Sequence, residues 1–181
     1  TRCHRVEQLV VSLLRRVISA LPVDVSRVYF IGTSCGGYGV LRLAELLPDL
    51  PAALVPMAAY YPDMPGQDHD GAALAERLQR VPRIWIIHCK SDQSCRCDSP
   101  HVAGAYKHLR EKCSTEFEWL PPPLAKGDKS DYHSAHRRVT LNPQAFFSEL
   151  LQGSRTVGDD QGDANGGILA YLQARLGVLA E

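Results

Sequence analysis

The sequence contains no apolar run of about 18 or more residues, so it offers no helix long enough to span a bilayer. It has no charge imbalance either: 20 Lys and Arg meet 20 Asp and Glu. No overall field therefore draws it to nucleic acid or to an anionic membrane. Cysteine is sparse, six in 181 residues, well below the density of a disulfide scaffold. Cys35, Cys89 and Cys113 lie in or beside apolar segments, where a free cysteine packs as a small hydrophobe. This leaves the compartment open and leans towards a reducing one such as the cytoplasm. Internal repeats are absent, and so is a signal-peptide pattern; the first residue is Thr1 rather than Met. What remains is enough ordinary apolar content for one domain with a real core.

Apolar residues at Val6, Leu9, Val10, Leu13, Leu14, Val17 and Ile18 recur at helical spacing, and Pro22 ends that helix. "RVYFIG" (27–32) reads as a short buried strand, followed by a helix over about 37–47 that stops at Pro48. "AALVPMA" (52–58) is a second buried strand, and 72–80 a short helix. "RIWIIHC" (83–89) is a third strand, and Pro100 opens a helix running towards Lys112. "TEFEWL" (115–120) is a fourth strand, alternating polar and apolar. "NPQAFFSELL" carries Asn142 as a cap and Pro143 at the first helical position. Strands alternating with helices predict an α/β domain with a parallel sheet and flanking helices over 1–151. The remainder, 152–181, reads as a flexible loop and a final helix.

Gly32-Thr33-Ser34-Cys35-Gly36 fits the pattern G-x-S-x-G, between a strand and a helix. A sharp turn there holds the hydroxyl in a strained conformation at the carboxyl edge of the sheet, and small neighbours let backbone come close. The helix that follows points its N–H groups and positive dipole end at a developing oxyanion, with the Cys35 amide as donor and its thiol packed away. The alternative is a glycine-rich turn that only joins strand to helix. A serine needs a base. Asp92 follows the third strand and His133 the fourth, each at a carboxyl end, where sites of parallel sheets lie.

Three segments resemble the phospholipase/carboxylesterase branch of the α/β-hydrolase family, which includes acyl-protein thioesterases and polyhydroxybutyrate-depolymerase-like esterases. They are "VYFIGTSCGGYGVLRLAELLPDLPAALVPMAAYY", "VPRIWIIHCKSDQ" and "YHSAHRRVTLNPQAFFSELL". The resemblance runs from about Arg27 to Leu151. It implies a serine hydrolase of esters or thioesters, with Ser34 as nucleophile, Asp92 as acid and His133 as base, and no cofactor or metal. The sequence departs from the family at Cys89, in place of a glycine, and at His136, in place of an aromatic. Several strands precede the motif in the family, and one of their loops supplies a second oxyanion donor. The expectation is therefore a partial hydrolase domain lacking its N-terminal strands, with the preceding part of the same chain as its partner. Losing one such donor costs about 3 to 4 kcal/mol of transition-state stabilisation.

Several alternatives stay open. A catalytically silent binding domain on the same fold is one. His136 competes with His133 as base, and Asp98 with Asp92 as acid. His88 reads as a hydrogen-bonding histidine at a strand end, and His101 and His108 as residues of a solvated helix face. Cys89, Cys95, Cys97 and His101 form a weak metal pattern, and Cys95 could pair with Cys89 or Cys113. Tyr60 and Tyr61 are expected beside an acyl pocket.

Overall fold

In the computed structural model, residues 2–59, 71–120, 139 and 142–152 are described. Helix α1 (Arg2–Ala20) leads through a 3-10 turn to strand β1 (Tyr29–Thr33). Then come α2 (Cys35–Leu46), β2 (Ala53–Met57), α3 (Ala72–Leu78), β3 (Ile84–Cys89), α4 (Pro100–Lys112), β4 (Thr115–Leu120) and α5 (Pro143–Gln152). The four strands form one parallel sheet in the order β1-β2-β3-β4. Right-handed crossovers in one direction place every crossover helix on the same face. Accordingly α2, α3 and α4 share one core cluster with Phe30, Leu54, Ile84 and Ile86. The alternate residues Val55, Trp85 and Ile87 point to the other face, against Phe146 and Leu150 of α5. Trp85 and Phe146 stack there with ring centroids 5.2 Å apart.

Every residue of β2 and β3 is buried, as the inner strands of a covered parallel sheet require. Asn142 caps its helix as expected from sequence, and Ser99 caps the helix that Pro100 opens. The Ser99 side chain accepts from the Val102 amide ahead of Pro100, and Asn142 Oδ1 accepts from the Ala145 amide at 3.0 Å. Pro56 is unusual inside an inner strand. The Leu54 and Ala58 amides donate to the carbonyls of Arg83, just before β3, and of Ile87 within it. Alternation therefore aims position 56 at β3 as well, where proline has no N–H to give. The β2–β3 pairing is correspondingly interrupted between Leu54 and Met57.

Two features differ from the sequence expectation. Helix α2 begins at Cys35, two residues earlier than its periodicity suggests, because Gly36 and Gly37 are helical residues without side chains to show it. The apolar stripe of α1 is turned largely outward. Val11 is buried and Leu14 and Ile18 pack on the core, while Val6, Leu9, Val10, Leu13 and Val17 are exposed. Among the described residues nothing pairs with the outer edge of β1, and an apolar groove of about 770 Å³ runs between α1, that edge and α2.

Candidate active site

The turn from β1 into α2 carries the site. Ser34 sits between them with φ 57° and ψ −123°, a conformation that L-residues with a Cβ rarely adopt. Two backbone bonds hold it. Its amide donates to Met57 O at 2.9 Å, tying it to the end of β2, and its carbonyl accepts from Tyr38 N at 3.1 Å. The hydroxyl makes no capping bond to its own helix.

Two glycines make this turn possible. A Cβ on Gly32 would lie 2.3 Å from the Gly36 carbonyl oxygen, so the turn closes only without one. A Cβ on Gly37 would lie 3.0 Å from Met57 O and from Ala59 Cα. The sequence motif points to Gly36 as the second close approach, but a Cβ there would meet nothing within 4 Å. It is the backbone of Gly36 that crowds Gly32; the small side chain is needed one position later.

Cys35 is the first residue of α2, so its amide is among the helix N-terminal N–H groups that have no intrahelical acceptor. Its thiol is exposed rather than packed away, because the first turn of α2 rises at the rim of the sheet.

Asp92 lies after β3 and is only 2% exposed. Its Oδ1 accepts from the Ser94 and Cys95 amides, both at 2.8 Å, folding residues 92–95 into a tight loop. Its Oδ2 lies 3.8 Å from His88 Nε2. Asp98 is placed quite differently. Its side chain is exposed and held by the Arg96 guanidinium at 3.0 and 2.9 Å, which lowers its pKa. Of the two candidate acids, Asp92 is the one buried at the carboxyl edge of β3.

The loop returns Cys95 to the Ser34 turn, with Sγ 3.9 Å from Ser34 Oγ. Sequence reasoning considered Cys95 only as a metal or disulfide residue. The signal that points to it is Asp92 three residues earlier, since an aspartate capping the amide at i+3 reverses the chain. Burial pushes the Cys95 thiol pKa up, opposed by the Ser34 hydroxyl and reinforced by Asp92 and Cys35. The thiol stays protonated and is a poor nucleophile beside Ser34.

His88 is fully buried and hydrogen-bonded at both ring nitrogens, as a strand-end structural histidine should be. His101 and His108 are half-buried on α4. Cys35, Cys89, Cys95, Cys97 and Cys113 are free thiols. Among the described residues no group of three His, Cys, Asp or Glu is placed to hold a metal ion, and no helix is long and apolar enough to cross a membrane. Tyr60, Tyr61, His133 and His136 lie outside the described residues.

No family model matches this sequence, and no curated protein does. Solved structures do. A thermostable esterase overlays 82% of the chain with a TM-score of 0.65 at 22% identity. A variant of SOBER1 from Arabidopsis thaliana overlays 76% of it with a TM-score of 0.50 at 14% identity. The chain spans 36% of the length of the first and 63% of the second. Four parallel strands with flanking helices, laid on these structures over most of the chain, match part of the α/β-hydrolase fold of such esterases.

Proposed function

We propose that this chain belongs to a serine hydrolase that cleaves carboxylic esters or thioesters through an acyl-enzyme. The observation that carries the reading is Ser34 itself. A strained serine at a strand-to-helix turn, its hydroxyl not used as a cap, stands beside the N-terminus of α2.

In this reading Ser34 Oγ attacks the acyl carbon while its proton passes to the His133 imidazole. The carbonyl electron pair moves to oxygen, and the Cys35 N–H donates to that oxyanion. Collapse expels the alcohol or thiol, which takes the proton back from His133 and leaves an ester on Ser34. Water then attacks, giving a proton to His133, and the second collapse releases the carboxylic acid and restores the Ser34 hydroxyl. Asp92 orients the imidazole and stabilises its charged form. Tyr60 and Tyr61 would border the acyl group, and no cofactor takes part. The Cys35 amide is one of two donors such chemistry uses; the reading assigns the other to a further segment of the same protein.

The test is mass spectrometry after treatment with a fluorophosphonate, with Ser34→Ala as control. An adduct on Ser34 that the control lacks supports the hydrolase. A folded chain without an adduct, both alone and within a longer chain, points instead to a silent binding domain on the same fold.

A further inference from the structure

We infer that His88 and Tyr106 are positioning residues, which together hold the loop of Asp92 and Cys95 against the Ser34 turn. The contacts form one unbroken tether. The Tyr106 hydroxyl lies 2.7 Å from His88 Nδ1, and His88 Nε2 lies 2.6 Å from the Cys95 carbonyl oxygen. Cys95 then donates its amide to Asp92 Oδ1 at 2.8 Å and places its thiol 3.9 Å from Ser34 Oγ.

The chemistry of the partners fixes the direction of each bond. A carbonyl oxygen only accepts, so Nε2 carries the hydrogen and donates. In the neutral ring Nδ1 is then a lone pair, and it accepts from the Tyr106 O–H. Burial pushes the tyrosine pKa up, which keeps that donor in place. Aromatic neighbours hold both rings: Tyr106 meets His88 and Phe117 edge-on, and Trp119 stacks on His88.

Packing alone does not call for this pair. The strand residues before His88 are Ile84, Trp85, Ile86 and Ile87, all apolar and buried. A polar pair in such a core costs stability unless both members are satisfied. It stands near the carboxyl end of β3, where His88 Nε2 reaches the Cys95 carbonyl. His88 Nε2 lies 3.8 Å from Asp92 Oδ2, too long for a hydrogen bond. Its hydrogen bond to the loop is the one to the Cys95 carbonyl.

The catalytic meaning of this tether rests on the hydrolase reading; the tether itself does not. The experiment uses the full chain and three variants: Tyr106→Phe, His88→Phe and His88→Gln. N-ethylmaleimide is added under native conditions and each cysteine is followed by mass spectrometry. Cys95 is only 4% exposed and should react slowly in the parent chain. In Tyr106→Phe and His88→Phe it should react about fivefold faster or more, the weight of one hydrogen bond on a local opening. Cys113, at the far end of α4, should keep its rate. His88→Gln retains an N–H for the Cys95 carbonyl and should stay near the parent rate. Where ester turnover is measurable, the two Phe variants should lose about tenfold in kcat with KM unmoved, as a displaced orienting group does.

Equal acceleration at Cys95 and Cys113, or none at Cys95, would overturn the inference. If His88→Phe does not fold, Tyr106→Phe decides, since it removes one oxygen from a ring that stays packed. A chain whose Ser34 takes no fluorophosphonate but whose Cys95 responds as expected loses the hydrolase reading and keeps the tether. A chain that labels at Ser34 with Cys95 unmoved loses only the tether.

Discussion

Replacing Ser34 with glycine should make the protein more stable. At φ 57° and ψ −123° a residue with a Cβ costs roughly 1–3 kcal/mol relative to a relaxed conformation. Glycine removes that cost and gives back about 0.5–1 kcal/mol through the greater freedom of its unfolded chain. The proper comparison is with Ser34→Ala, which keeps the strain. Both variants lose the hydroxyl and its contact with Cys95 Sγ, so those losses cancel. Ser34→Gly should exceed Ser34→Ala by about 1 kcal/mol. With a urea slope of about 2 kcal/mol/M, the midpoint should move up by roughly half a molar. Urea unfolding followed by circular dichroism reads this directly. A glycine variant no more stable than the alanine variant would mean that the turn stores no strain. The assignment of Ser34 as nucleophile would then lose its principal support.

Four further outcomes follow from the packing. Gly37→Ala should cost about 1–3 kcal/mol, because its Cβ meets Met57 O and Ala59 at 3.0 Å. Gly36→Ala, with open space around it, should be tolerated or mildly stabilising in thermal melts. Phe146→Ala should cost about 3–5 kcal/mol in denaturant unfolding, since it removes the fully buried ring that stacks on Trp85. The Cys113 thiol donates to Ala75 O and is pushed up to about 11, chiefly by burial. Its folded form holds the proton more tightly than the unfolded form. The stability it contributes is therefore present below about pH 9 and lost as pH rises towards 11. Cys113→Ser, measured by urea unfolding across that range, should flatten the decline.

Much of the architecture was legible because it follows from local chemistry. Pro100, and Asn142 with Pro143, mark helix starts by their own side chains and rings. The apolar run from Ile84 to Ile87 in β3 follows from being covered on both faces. The turn at Ser34 was legible for the same reason, since glycine two residues before it leaves a recognisable gap. Other features were hidden because they depend on distant segments. The need for glycine at position 37 rather than 36 is set by Met57 and Ala59, on another strand. The approach of Cys95 to Ser34 bridges 61 residues of chain, and no local pattern records it. The helical stripe of α1 was visible as a period, but the period does not say which side meets the core. The base, expected at His133, lies outside the described residues.

The order β1-β2-β3-β4 has a consequence for how the molecule is made. Each strand pairs with the one that precedes it in the chain, so a chain leaving the ribosome can add one strand-helix unit at a time to a sheet already formed. Ser34 acquires its anchor on Met57 once β2 has joined, but its hydroxyl meets Cys95 only after β3 and the loop beyond it have emerged. The reactive corner is thus completed only after the β1-β2 scaffold that bears its strain is in place, with β4 still to be added.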